Sequence, residues 1–357
     1  MSLVLAIEID GDGAHPAAWR RAAHPPSELL GPRRVRHVAE IAERAGFTLA
    51  TLDDDLLPPG GHGPAGRIGA VERAAFIAAS TSVLSVAPVV STTYSEPFHV
   101  SSQLASLDHV AVGRAGWVVA TSPQPEAAAA WGRPAADPVQ EAADAVRVVR
   151  ALWDSWEDDA VIRDVATGRY LDRDRLHYVD FTGATYSVKG PAIVPRPPQG
   201  QLVVLAPAGL APDGEVDVAL VGGADVEAVR RAAAATTTAR TFAEIEVALD
   251  TSTVDGADRV EDLARHAPWP SAGRLRYTGG PGGLVALLRD LDGHGGVDGV
   301  RLHPLVLDED LAVLSQHVVP ALIGAGLAAR PVPGASLRQS LRLHRPKNRF
   351  ALPGGPA

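Results

Sequence analysis

Short apolar runs rich in Val, Ile and Leu alternate along the chain with Ala-, Glu- and Arg-rich stretches at helical spacing. Leu3–Ile9 predicts a first strand, ended by the loop Asp10–Ala14. In Val35–Ala45 the residues Val38, Ile41 and Ala42 share one face while Glu43 and Arg44 lie outside it, as in an amphipathic helix. Phe47–Leu52 then predicts a second strand and Val71–Ala79 a second helix. Val83–Val90 is apolar apart from Ser85, the pattern of a parallel strand covered on both faces. Pro97–Val110 predicts a third helix and Gly116–Ala120 a fourth strand. Val139–Trp153 predicts a fourth helix with Val146, Val149, Leu152 and Trp153 pointing inward.

The segment Asp154–Gln201 interrupts this rhythm with a polar, aromatic excursion, in which two alternating runs about Thr182-Gly183 predict a β-hairpin. Strands are predicted again at Leu202–Ala206, Val216–Val221, Phe242–Leu249 and Val297–Leu302, with helices at Ala224–Ala235, Gly283–Leu291 and Glu309–Ile323. Eight strands, most followed by helices, predict a (β/α)8 TIM barrel with an inserted hairpin excursion after the fourth helix. The barrel is expected as a single domain over residues 1–357, with the excursion at 154–201 and a tail at 331–357. A doubly wound open sheet is the alternative. Chemistry in a barrel lies in the loops that follow strand C-termini. Those loops hold Asp10–His15, Asp53–Asp55, Ser91–Glu96, Thr121–Gln124, Pro207–Ala211 and His303.

Composition narrows the classes. The 357 residues carry a formal net charge of −9, which argues against a nucleic-acid partner, since that needs a cationic face. Without cysteine there is no disulfide, thiolate metal site or cysteine nucleophile. The N-terminal apolar run lacks a basic start and is broken by Glu8 and Asp10, so it reads as a strand and not a signal peptide. No apolar window is long enough to span a membrane, and a cytoplasmic location is expected. P-loop, HExxH and GxSxG patterns are absent. Gly279-Gly280-Pro281-Gly282-Gly283 precedes a helix and reads as a turn before an anion site. Asp53-Asp54-Asp55 reads as a solvated loop with one functional member, because adjacent carboxylates diverge and hard cations need converging oxygens. His15, His99 and His303 stand at or near strand C-termini. Taken alone, these residues specify a barrel enzyme without naming its substrate.

Several stretches together resemble one family. They are Trp153-Asp154-Ser155-Trp156-Glu157-Asp158-Asp159-Ala160, Val188-Lys189-Gly190-Pro191 and Pro195-Arg196-Pro197-Pro198-Gln199-Gly200. With them go His15-Pro16-Ala17-Ala18-Trp19-Arg20, Ser91-Thr92-Thr93-Tyr94, Asp108-His109, Ser336-Leu337-Arg338 and Arg345-Pro346-Lys347-Asn348-Arg349. This succession resembles the bacterial-luciferase-like flavin monooxygenases, in the branch of nitrilotriacetate and dibenzothiophene-sulfone monooxygenases. The resemblance implies a two-component system in which a separate reductase supplies reduced FMN. Dioxygen then forms a flavin C4a-peroxide that oxygenates a small organic substrate, with the protein excluding water. It also implies a homodimer or tetramer, no metal, and no nucleic-acid or membrane partner.

By the same resemblance, Asp54, Thr92, Thr93, Trp117, Ala208 and Gly209 are expected at the flavin. His15 and His99 are expected to line the pocket as catalytic donors. The chain departs from the family at Val118, where the family has a flavin-facing Asn. Ala135 and Val139 stand at a His and a Tyr that grip the FMN phosphate. Leu205-Ala206-Pro207-Ala208-Gly209 replaces a hydroxyl-bearing Gln-Ala-Gly-Ser-Ser. The alternative to an oxygenase is therefore a flavin-deficient barrel serving as a binding or scaffold subunit.

Overall fold

The computed structural model describes residues 2–57, 66–132, 137–293 and 296–351. Its strands are β1 (Val4–Glu8), β2 (Leu49–Leu52), β3 (Ser85–Ser91), β4 (Gly116–Ala120), β5 (Val203–Pro207), β6 (Val218–Val221), β7 (Arg240–Leu249), β8 (Leu275–Gly279) and β9 (Gly299–Pro304). Parallel pairing runs from β1 through β7 in order, passes to β9, and returns to β1 with Val4 opposite Gly299. The sheet closes into an eight-stranded barrel, so the open-sheet alternative fails. β8 lies outside the closure. It pairs with the upper half of β7, Ile245 opposite Leu275, beyond the last β6 pair of Val221 with Ala243.

The helices are α1 (Pro32–Ala45), α2 (Ala70–Ser80), α3 (Pro97–Val110), α4 (Pro125–Trp131), α5 (Pro138–Asp154) and α6 (Val226–Ala234), followed by α7 (Gly256–Ala264), α8 (Pro281–Gly293), α9 (Leu307–Val313), α10 (Val319–Gly324) and α11 (Leu337–Ser340). A π turn at Leu314–Val318 joins α9 to α10, so the expected closing helix is one run with a local widening. The sequence pattern held no sign of α4, α7 or β8. With 7, 9 and 5 residues they hold too few periods to stand out.

Alternation along each strand divides the apolar residues between two cores. Ala6, Leu49, Val89, Val118, Leu205, Leu220 and Phe242 fill the barrel interior with Leu337 and Leu341 of α11. The plug sits at the N-terminal end, since a Cβ on Gly116, the first residue of β4, would lie 3.0 Å from Leu337. Outward-facing Leu5, Ile7, Val86, Trp117 and Val204 pack under the helices with Leu104, Val149 and Trp153. Each such buried side chain contributes about 1.5–3 kcal/mol. Gly299 admits no substitute, because a Cβ there would lie 2.6 Å from the Phe242 ring.

The excursion contains the expected hairpin, Phe181 opposite Val188, and a second one pairing Val161 with Leu171. It packs on α5 through Val148, Leu152 and Trp156. Motifs that carry the family resemblance tie this region and the tail together. Arg196 donates to Asp154 Oδ1 at 2.8 and 3.0 Å, and the Asn348 amide donates to the Asp154 and Trp156 carbonyls, both at 2.8 Å. The Gln199 amide donates to Asp108 at 2.7 Å and accepts from the Arg338 amide at 2.9 Å. Among the described residues, no helix is long and apolar enough to cross a membrane.

Candidate active site

The phase that turns Ala6 and Phe242 into the barrel turns Glu8, Thr51, Glu244, Glu246, Arg301 and His303 inward one layer higher, at the strand C-termini. Arg301 lies among them. Its guanidinium donates to Glu8 at 2.6 Å, Glu244 at 2.8 Å and the Thr51 hydroxyl at 2.9 Å. Thr51 donates onward to Glu8 at 2.7 Å, and His303 Nε2 meets Glu244 at 3.2 Å. Burial alone would raise both Glu8 and Glu244, but the neighbouring Arg301 and His303 hold them below the usual carboxylate range. Burial, then Arg301, pushes His303 down to about 4, so its ring is neutral at pH 7 and Nε2 carries the proton that Glu244 accepts. Arg274 and Arg276 reach in from the edge of β8 and bracket Glu246 at 3.5 and 2.7 Å. A cavity of about 160 Å³ lies beside this web, lined by Glu8, Asp10, Asp53, Arg274, Arg301 and His303.

The inward positions of β3 to β6 are uncharged. Ser122 donates to the Ser91 hydroxyl at 3.0 Å and Val118 faces the interior. A second cavity, about 220 Å³, is lined by Asp54, Asp55, Ala70, Val89, Ser91 and Gln103. Nearby, Tyr94 stacks on Trp131 with ring centres 5.7 Å apart.

The residues expected at the site separate. His15 is buried, accepts from the Ala17 amide through Nδ1 at 3.0 Å, and leaves a buried Nε2 without a hydrogen-bond partner. Burial, then Arg276, lowers its pKa, so the imidazole is a neutral donor. Its ring packs 5.8 Å from Trp269. His99 lies exposed on the first turn of α3. Asp54 accepts from the Ala70 amide at 2.7 Å and so holds the start of α2 while it lines the second cavity. Thr93 accepts from the Ser122 amide at 3.1 Å, and Thr92 donates to the Ala120 carbonyl at 3.1 Å, so both hydroxyls brace the β3 and β4 ends.

Trp117 requires a correction. It is fully buried on the outer side of the barrel, donates to the Val90 carbonyl at 3.3 Å and packs edge-on to Trp153. Strand alternation gives the inward position to Val118 instead. Glu8, Thr51, Glu244 and Arg301 were missed as site residues. Their signal was present as charged and hydroxyl residues two apart inside apolar strands, seen in Phe242-Ala243-Glu244-Ile245-Glu246 and Arg301-Leu302-His303.

Among the described residues, those expected at the FMN phosphate offer it no side-chain donor. The Asp137 carboxylate caps α5, accepting from Val139 and Gln140 amides at 2.9 and 3.3 Å, so the helix N-terminus already faces a negative charge. Val139 is exposed, and the Ala208 amide donates to the Leu220 carbonyl at 3.0 Å. Gly209 is exposed at the rim, with a φ of +83° and open space around it. Ala135 lies outside the described residues.

Comparison with known proteins adds three findings. Residues 12–273 match the family model described as luciferase-like monooxygenase. The chain is 36% identical over 217 residues to N-acetyl-S-(2-succino)cysteine monooxygenase of Bacillus subtilis (strain 168), covering 59% of this chain and 49% of that protein. It is 35% identical over 213 residues to dibenzothiophene-sulfone monooxygenase of Rhodococcus erythropolis, covering 55% and 47%. The chain thus spans about half the length of the curated relatives it matches. Among solved structures, long-chain alkane monooxygenase superposes with a TM-score of 0.81 at 20% identity, over 99% of this chain and 97% of that one. EDTA monooxygenase from Chelativorans sp. BNC1 gives a TM-score of 0.79 at 21% identity, over 97% and 99%. At these identities the structural likeness is one of fold.

Proposed function

The chain belongs to the luciferase-like monooxygenase family, and from that premise we propose that it is a flavin-dependent monooxygenase acting on a small organic substrate at the barrel mouth. The observation that carries this reading is the match over residues 12–273, which takes in β2 to β7 and the loops at their C-terminal ends. The flavin, FMNH2 from a separate reductase, is met as a passing co-substrate, because Val139, Ala208 and Gly209 bring no side-chain donor to its phosphate. When bound, it supplies the oxygenating chemistry. The chain's own residues exclude water and orient the substrate. The neutral His15, with its buried Nε2 donor, is the residue assigned to position a proton.

The test is an anaerobic titration of the purified protein with FMNH2, followed by fluorescence quenching. Saturation in the micromolar range supports the enzyme. Absence of saturation up to millimolar flavin contradicts it. His15→Ala is expected to reduce oxygenation more than flavin affinity, and an equal loss of both would make His15 a packing residue.

A second reading is favoured by the Asp137 cap and the missing phosphate donors. In it, the chain is a subunit that pairs with a flavin-competent homologue. Over 179 residues the chain is 35% identical to one of the subunits of pristinamycin IIA synthase from Streptomyces pristinaespiralis, covering 50% of this chain and 58% of that protein. By its name, that relative is one part of an enzyme with more than one kind of subunit. Co-purification with an active homologue and no flavin binding by the isolated chain would favour this reading.

A further inference from the structure

We propose that the cavity on the charged side of the mouth, lined by Asp53, Asp10, Glu8 and His303 together with Arg274 and Arg301, binds a primary ammonium group on its Asp53 and His303 wall. Most polar atoms lining it are already satisfied. Glu8 accepts from the Asp10 and Asp53 amides at 3.0 Å on one oxygen, and from Arg301 and Thr51 on the other. Asp10 is paired with Arg73. Arg301 is shared between Glu8 and Glu244.

Two acceptors remain. The Asp53 carboxylate accepts only the Asp54 amide, at 3.0 Å, and has no ion-pair partner among the described residues. The His303 side chain is 3% exposed, lines the same cavity, and uses only Nε2, toward Glu244. Because Nε2 bears the proton, Nδ1 is a lone pair without a hydrogen-bond partner among the described residues. A ligand that satisfies a carboxylate and an imidazole lone pair together must bring N–H or O–H donors.

Charge decides which donor. The carboxylates of the web are Glu8, Asp10, Asp53, Glu244 and Glu246, and they face the guanidinium groups of Arg73, Arg274, Arg276 and Arg301. With His303 neutral, one negative charge is left over, and it sits on Asp53. Asp53 is itself open to solvent; desolvation, then the charge of Glu8, pushes its carboxyl up to about 6. The volume of about 160 Å³ is well under the roughly 300 Å³ at which drug-sized ligand pockets begin, so it admits an amine head with a few carbons. A hard metal ion would need six or more converging oxygens, which one free carboxylate and an imidazole do not provide.

The probe is propylammonium, titrated into the full-length protein at pH 7.5 by calorimetry, with propionate, 1-propanol and Mg²⁺ as comparisons. Saturable binding is expected for propylammonium alone, with a dissociation constant on the order of 1 mM. Asp53→Asn should weaken it about tenfold or more. His303→Leu should do the same, while His303→Gln, which keeps a neutral acceptor, should stay within about threefold of wild type. Thermal unfolding of each variant separates lost binding from lost folding. Equal or tighter binding of propionate, saturable binding of 1-propanol, displacement of the amine by Mg²⁺, or an Asp53→Asn variant that binds like wild type would overturn the proposal. No flavin enters this titration, so its outcome is independent of the monooxygenase reading.

Discussion

On the side of β1, β2, β7 and β9, the barrel mouth carries Glu8, Thr51, Glu244, Arg301 and His303 in one hydrogen-bonded web. On the side of β3 to β6 its inward positions, among them Ser91, Val118, Ala120 and Pro207, are uncharged, and charge enters only at the edge, where Asp54 lies 3.8 Å from Arg67. Both sides follow the same strand alternation and rest on the same apolar floor, so the difference lies in chemistry and not in backbone. On the charged side Arg301 donates from each of its three guanidinium nitrogens, to Thr51, Glu244 and Glu8, which holds those side chains in one arrangement. The neutral side uses its hydroxyls to brace its own loops and leaves its rim at Ala208 and Gly209 open.

The strongest way to break this contrast is Arg301→Leu. It leaves Glu8 and Glu244 buried without their cation, and should lower unfolding free energy at pH 7 by about 3–5 kcal/mol in urea titrations. An unchanged midpoint would mean the two carboxylates are hydrated and the web is not a unit.

Next in size is the acid limb. His303 is pushed down to about 4 from an ordinary value of 6.5, so the unfolded chain binds a proton more readily than the folded one between those values. Stability is therefore full above pH 6.5 and falls as pH drops toward 4, by on the order of 3 kcal/mol. Glu8 and Glu244, held below the ordinary 4.5, contribute above that value and lose their contribution below it. Asp53, raised to about 6 from 3.8, acts with the opposite sign, gaining stability as pH falls through that interval. Its effect is smaller because the residue is open to solvent. His303→Gln should flatten the limb between pH 6.5 and 4, and an unaltered slope would place the titrating group elsewhere.

On the neutral side, Thr93→Val removes the acceptor of the buried Ser122 amide and should destabilise by about 2 kcal/mol without changing the pH profile. Smallest is Asp54→Ala, which frees the Ala70 amide at the start of α2 and should lower stability by about 1 kcal/mol. A larger loss of flavin affinity than of stability in that variant would return Asp54 to the flavin site.

The barrel was legible because its strands are continuous apolar runs and its long helices repeat several times. β8 was not, because Arg276 and Thr278 interrupt a five-residue strand that leans on the edge of β7. The site was harder to read for a different reason. The motifs most specific to the family, Asp154 with Arg196 and Asn348 and Gln199 with Asp108 and Arg338, serve the fold by tying the excursion and tail to the barrel. The charged residues at the mouth lie outside any motif. Phase also matters: the resemblance brought both Trp117 and Val118 to the flavin, and strand alternation leaves Val118 alone of the two facing the interior.

The central claim is that the mouth no longer grips a phosphate. Its direct measurement is the dissociation constant of FMNH2 set against that of reduced riboflavin, which lacks the phosphate, under anaerobic conditions and equal salt. The account predicts that the two agree within about threefold. FMNH2 binding about a hundredfold more tightly would contradict it, since that ratio requires charge-assisted hydrogen bonds to the phosphate.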